Sequence, residues 1–485
     1  MAGVLEQKIE NELPSIYNCS AQEASSHLTR YRTLLDLYRR TYGEEPSIVV
    51  RAPGRVNLIG EHTDYNGYPV LPMAVDRDII FVLGPSKGNI IDVANEHPAF
   101  EPRSFSFSLP VPPFAQGDWG NYVKAAVQGL LSSQTVKEET AVGFRAVVGG
   151  NVPESAGLSS SSALTVASAL SFLVINNAAY DRVALAELLA KSERYVGMEG
   201  GGMDQAISLL GQEKHALKID FFPLRTKSIP VPSSLVFVVC YSLVRSAKSE
   251  NTRYHYNRRV VEGRIATALI SKAVLQNYGK QVQAKLLAHL SSEALGISEL
   301  DVDQLAYNAI GESPLSLEGV AARLGMSAAD VEKNYTTLQT GATVPPPSEG
   351  FKVWQRYRHV TTEARRVEKA VIALEKNDIA EFGRLMNDSH ESCRDDYEVS
   401  CQELDALVLL ARSHGALGAR LTGAGFGGCT VNAVPTAHVE QFVQRLTQSF
   451  YQDYAAKHGL VLTGNLNDAI FPCRPTRGAC VVAHV

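Results

Sequence analysis

An α+β protein of two lobes is the fold class this sequence predicts, on three observations. Strand-like and helical stretches alternate irregularly through both halves of the chain. At 485 residues the chain is too long for one ordinary core. Pro230-Val231-Pro232 breaks the pattern near the middle, dividing the chain into a lobe of residues 1–232 and a lobe of residues 233–485.

The elements follow in order. The opening segment is polar at first and turns helical from Ala21, with Leu28, Tyr31, Leu34, Leu35 and Tyr38 at three-to-four-residue spacing. Residues 47–52 read as a strand delivering the loop around Arg55. Residues 78–83 and 89–93 are short β-type runs separated by Pro85 and Gly88. A helix starts at Trp119 and runs to about Leu131, and residues 144–149 form a strand that empties into a serine-rich loop. Helices dominate from Ser160 to about Val196, and Ala206 opens another apolar segment. Residues 234–240 have the composition of a buried strand. The second half is rich in helix, carries a proline triplet at 345–347, and ends in strand-like stretches near Cys429 and Cys480.

Composition narrows the function classes. With 45% hydrophobic and 20% charged residues, this is the make-up of a soluble globular protein. A net charge of −5 gives no electrostatic reason to expect nucleic acid. Seven cysteines show no C-x-x-C spacing, which favours free thiols in a reducing compartment. Glu6, Glu10 and Glu12 stand where a signal or transit peptide would be apolar or basic. No apolar run reaches the ~18 residues of a membrane span. The expectation is a cytoplasmic protein, monomeric, with neither membrane nor nucleic acid as partner.

The chemistry concentrates in four stretches. In Asn151-Val152-Pro153-Glu154-Ser155-Ala156-Gly157-Leu158-Ser159-Ser160-Ser161-Ser162-Ala163 a glycine and four hydroxyls precede a long apolar run. Serines at a helix N-terminus make an anion site, and hydroxyls can donate to phosphate or bind a metal. There is no lysine, so this is not a Walker A loop; a serine-rich cap on a core helix is the plain alternative. Arg55-x5-Glu61-His62-x-Asp64, bracketed by Gly60 and Gly67, suits a loop wrapped around a polyol, because carboxylates accept from sugar hydroxyls. A solvated turn explains those residues as well. Gly200-Gly201-Gly202-Met203-Asp204 sets an acid after three glycines; it is either a capped helix start or a backbone built for close approach. Gly423, Gly425 and Gly428 satisfy G-x-G-x-x-G, but residues 429–434 read as a strand, not the helix a dinucleotide site requires, so a glycine-rich hairpin fits better.

Three of these motifs together resemble the GHMP small-molecule kinases. Pro153-x3-Gly157-Leu158-Ser159-Ser160-Ser161-Ser162-Ala163 is similar to the family's second motif, and Leu421-Thr422-Gly423-Ala424-Gly425-Phe426-Gly427-Gly428-Cys429 to its third. Gly54-Arg55-Val56-Asn57-Leu58-Ile59-Gly60-Glu61-His62-Thr63-Asp64-Tyr65 resembles the signature of the galactokinase branch. The resemblance runs from about Tyr31 to the C-terminus, in the family's order. It implies the two-lobed GHMP kinase fold with the active site in the inter-lobe cleft. It also implies transfer of the γ-phosphoryl group of ATP, with Mg²⁺, to the C1 hydroxyl of galactose, in galactose metabolism. Phosphorylation of N-acetylgalactosamine is the alternative within the branch. A non-catalytic sensor of galactose and ATP is the alternative of another class; that branch is disrupted in the serine motif, whereas Gly157 to Ala163 is complete here.

The resemblance also distributes roles. Arg55, Glu61, His62, Asp64, Gly201, Asp204 and Tyr256 fall where the family holds its sugar, with Asp204 as the catalytic carboxylate and Arg55 beside the reacting hydroxyl. Gly157, Leu158, Ser159, Ser160, Ser161 and Ser162 fall on the phosphates, and Trp119 on the adenine. Glu193 and Ser161, with Ser160 second to it, would hold Mg²⁺. One further stretch, 316–327, has helix-turn-helix spacing, but the next helix carries two acids against one lysine in residues 328–333. It reads as a helical pair decorating the second lobe.

Overall fold

The computed structural model describes residues 2–153, 156–197, 200–246, 250–338 and 341–485. Glu154 and Ser155 of the serine stretch lie outside the described residues, as do Met198 and Glu199 before the glycine run.

The described strands are β1 (Ile48–Asn57), β2 (Pro72–Pro85), β3 (Ile90–Asn95), β4 (Arg103–Ser106), β5 (Phe144–Gly150), β6 (His215–Asp220), β7 (Arg225–Pro230), β8 (Leu235–Tyr241), β9 (Gly418–Thr422), β10 (Cys429–Pro435), β11 (Ile470–Cys473) and β12 (Cys480–His484). A mixed six-stranded sheet runs in the order β12-β1-β2-β5-β3-β4, with β3 and β5 parallel. A four-stranded antiparallel sheet runs β11-β8-β10-β9, and β6 and β7 form a hairpin. After the hairpin the chain passes into the second sheet at β8, and its last strand returns to pair with β1.

The first sheet is covered on both faces, so its strands read as continuous apolar runs. Strand periodicity divides them: Val50, Phe81, Leu83, Ala146 and Val148 face one core, while Val49, Ile80, Val82 and Val147 face another. Helices α1 (Ala2–Tyr17) and α2 (Ala21–Tyr42) cover the second face. Helix α2 begins in a capping box between Ser20 and Glu23 and ends on Gly43 in the left-handed conformation. Helix α1 departs from the sequence reading, which made this segment polar. Leu5, Ile9, Leu13 and Ile16 form an apolar stripe one helical turn apart, and all four are buried.

Opposite them lie α3 (Gly120–Ser132), α4 (Ser160–Ile175), α5 (Arg182–Ser192) and α6 (Met203–Leu210). The second half contributes α7 (Glu250–Tyr278) and the helices Val353–Glu375, Ile379–Asp395 and Gln402–Ser413. The 316–327 stretch forms the helix Leu317–Leu324 and leads into the helix Ala328–Val331; the two are capped by Ser316 and Ser327 and anchored in the core through Val320 and Val331. Among the described residues, no helix is long and apolar enough to cross a membrane. All seven cysteines are unpaired.

Candidate active site

One cavity collects Arg55, Glu61, His62, Asp64, Gly157, Leu158, the four serines 159–162, Glu193, Gly201, Asp204 and Tyr256. Its walls come from both halves of the chain, since Ser246, Tyr256, Gly423 and Ala424 also line it.

Helix α4 supplies the floor. Ser159 adopts φ 58°, ψ 44°, and the helical ladder opens with the bond from Ala163 N–H to Ser159 O, so the N–H groups of 160–162 precede it at the helix end. The helix is buried along most of its length, so its positive N-terminal end acts with little screening by water. Gly157 closes the loop at φ 78°; a Cβ there would stand 2.7 Å from Thr422 O. From the other side Gly423, at φ 86°, would place a Cβ 2.5 Å from Gly157 O. Two glycines thus let the β9–β10 turn lie directly on the serine loop. That turn joins paired antiparallel strands, Thr422 opposite Cys429, as the hairpin reading expected.

Arg55 reaches the cavity from a register shift in the β1–β2 ladder between Pro53 and Arg55, where the strand bends. Its N–H meets Leu158 O at 3.1 Å. Its Nη1 donates to Gly157 O, and its Nε donates to Asp204 Oδ1 at 2.7 Å. Asp204 sits in the first turn of α6, which starts from Gly202 at φ 105°. The hydroxyl of Ser159 donates to the other carboxylate oxygen, Oδ2.

The Glu61–Asp64 loop is gripped from behind. Glu363 Oε1 accepts from Gly60 N at 2.8 Å, and His359 Nε2 meets Glu61 O at 3.0 Å, both from the helix Val353–Glu375. Arg420 of β9 brings Nη2 to 3.0 Å from Glu61 Oε2, both side chains being buried. Burial raises the Glu61 carboxyl above its usual range, opposed by Arg420 and Arg55. His62 is neutral: burial, then the neighbouring His359, lowers it to about 3. Its Nδ1 lies 2.9 Å from Tyr65 OH and its Nε2 3.1 Å from Ala424 O, so Nε2 carries the proton. Tyr65 OH bonds Tyr397 OH in turn at 2.8 Å. Asp64 rises to about 6, chiefly by burial and then by the charge of Asp204. A Cβ on Gly201 would overlap Asp64 Cγ and Tyr65 N, so the glycine run is what lets this loop and the Asp204 loop touch. Tyr256, from α7, packs 5.7 Å from His62 and 5.6 Å from Tyr65 by ring centroids. Burial, Asp64 and Asp204 hold its hydroxyl well above the ordinary range.

At the expected metal pair a third side chain, Ser162, stands beside the carboxylate. Glu193 opens a short 3₁₀ turn after α5, and its Oε1 accepts from Ser162 Oγ at 2.7 Å, with Ser161 lining the same cavity. With Ser160 as the first helical residue, Ser162 points inward, toward Glu193 and toward Gln205 Nε2 at 3.3 Å. Ser160 and Ser161 line this cavity and also the one beside it.

Trp119 is the one predicted residue outside the main cavity. It lines the adjoining apolar cavity with Ile79, Phe100, Val152 and Leu164, which meets the first at Ser160 and Ser161. Its Nε1 donates to Glu101 O at 3.0 Å, fixing the ring edge-on to Phe100. The sequence reading missed Arg420, Glu363, His359, Tyr65 and Tyr397 as supports of the loop. Tyr65 stands inside the signature stretch and Arg420 immediately before the third motif, but the others carry no local signal.

The chain is similar to known proteins. A family model for the galactokinase galactose-binding signature matches residues 36–85, one for the GHMP kinase N-terminal domain residues 121–212, and one for the GHMP kinase C-terminal domain residues 370–452. The chain is 37% identical to a galactokinase of Dictyostelium discoideum, over 94% of each chain. It is 31% identical to a galactokinase of Saccharomyces cerevisiae, over 96% of this chain and 97% of that one. Among solved structures, Lactococcus lactis galactokinase complexed with galactose superposes with a TM-score of 0.72 at 25% identity, covering 93% of this chain and 99% of that chain.

Proposed function

This chain belongs to the galactokinase family of GHMP kinases, and from that premise we infer that it transfers the γ-phosphoryl group of ATP to the C1 hydroxyl of galactose. The observation that carries the reading is the convergence of the Arg55–Asp204 pair and the open N-terminus of α4 on one cavity.

Phosphoryl transfer needs positioning and charge stabilisation more than covalent help. The N-terminal end of α4, with the hydroxyls of Ser160 and Ser161, receives the phosphates, with the adenine in the Trp119 cavity. Glu61, His62, Asp64 and Tyr256 hold the sugar hydroxyls, while Gly201 brings its backbone against it. The C1 hydroxyl gives its proton to Asp204 as its oxygen bonds to the γ-phosphorus and the bond to the bridging oxygen of ADP breaks. Arg55 pairs with the Asp204 carboxylate and offsets negative charge on the transferring group.

Mg²⁺ fits the donor set at Ser162 and Glu193. A hydroxyl and a carboxylate are hard ligands, and Mg²⁺ commonly takes one or two protein oxygens and completes its shell with phosphate and water. Bound there, the ion would offset phosphate charge. Seven unpaired cysteines support a cytoplasmic location.

The test is product identity. Purified protein given galactose, ATP and magnesium is expected to yield a sugar phosphate whose phosphorus couples to the anomeric proton. A phosphate on another carbon, or no product, contradicts the reading. N-acetylgalactosamine, which differs only at C2, is expected to be the poorer substrate.

A further inference from the structure

We propose that Ser159 positions the Asp204 carboxylate for catalysis rather than serving as one more phosphate-binding hydroxyl; the proposal rests on the reading of Asp204 as proton acceptor. Three observations carry it. A serine before a helix usually turns its hydroxyl back to accept from the first-turn N–H groups, and Ser159 makes no such bond. Its left-handed backbone is uncommon for a residue with a Cβ and directs the hydroxyl away from the helix, to Asp204 Oδ2. Arg55 Nε holds Oδ1 at 2.7 Å, so the two oxygens have separate donors from separate elements.

The consequence is geometric. One donor leaves a carboxylate free to swing about its Cβ–Cγ bond, whereas two donors on different oxygens fix its plane. Each oxygen keeps a further lone pair, so the sugar hydroxyl can still be accepted. A second bond in the same joint, Gln205 Nε2 to Ser162 Oγ at 3.3 Å, ties the next residue of α6 to the same turn of α4. The four serines therefore divide their work: Ser159 serves the carboxylate, Ser162 meets Glu193, and Ser160 and Ser161 face the nucleotide side.

The experiment is a double-mutant cycle on the full chain. Ser159→Ala and Ser159→Gly are each made alone and combined with Asp204→Ala. Glycine accepts the left-handed backbone without strain, so the second variant removes the hydroxyl while protecting the fold. Each single Ser159 variant is expected to lose about tenfold or more in kcat with both KM values within about twofold. In the Asp204→Ala background the same changes are expected to cost less than about twofold, because their target is gone. A raised KM for ATP with kcat unchanged would overturn the proposal in favour of a phosphate ligand. An equal loss in both backgrounds would overturn it as well. If Asp204→Ala alone kept most of its activity, the reading of Asp204 itself would fall, a result read from that variant without reference to Ser159.

Discussion

Glu193 Oε1 and Ser162 Oγ stand 2.7 Å apart, the carboxylate arriving from the end of α5 and the hydroxyl from the first turn of α4. Both oxygens are hard donors beside the N-terminal end of α4, and on the proposed function they would form the protein half of a magnesium site. Glu193→Gln and Ser162→Ala are each expected to raise the magnesium concentration for half-maximal rate severalfold, about threefold or more, with Ser161→Ala moving it less. Titrations of activity against magnesium check this; a larger effect at Ser161 than at Ser162 would contradict the register.

Gly201 is packed where no side chain fits. Ala at this position would push the Asp204 loop off Asp64 and Tyr65. Overpacking of this kind costs roughly 1–3 kcal/mol. Gly201→Ala is therefore expected to lower the melting temperature and to raise KM for galactose more than KM for ATP. An unchanged galactose KM would place the sugar away from this loop.

Asp64 titrates in an accessible range. Its carboxyl is raised to about 6 from 3.8, so the native state takes up this proton before the unfolded chain does. The cost of the buried charge is absent below the unfolded value, grows between the two values, and is complete above about 6. A shift near two units corresponds to about 3 kcal/mol. Asp64→Asn is thus expected to be more stable than the wild type at pH 8 and to lose that advantage toward pH 4. Only the ionised form accepts from a sugar hydroxyl with both oxygens, so KM for galactose is expected to rise about tenfold from pH 7 to pH 5. His62, held neutral down to about 3, does not contribute. A galactose KM that is flat across this range would remove Asp64 from the sugar.

What the sequence made legible was local, and what it hid depends on distant or ambiguous contacts. The β9–β10 hairpin was readable because a strand pattern follows the glycines directly, and α4 because an apolar run follows the serines. The start of α4 at Ser160 was readable as well, but four consecutive serines do not say which hydroxyl meets Glu193; the left-handed backbone at Ser159 and the helical turn after it decide that. Helix α1 was hidden by its acidic residues and Pro14, although its apolar stripe is regular. Arg420 lies 359 positions from Glu61, so no local pattern could pair them. The return of β12 to β1 is equally nonlocal.

The central claim is that Asp204 stands at the reacting hydroxyl, and Asp204→Asn tests it most directly. The change keeps the shape and removes the charge. Its kcat is expected to fall by about a thousandfold, or ~4 kcal/mol of transition-state stabilisation, while calorimetric affinities for galactose and ATP stay within about threefold. A kcat within about tenfold of the wild type, a difference of only ~1.4 kcal/mol, would contradict the account.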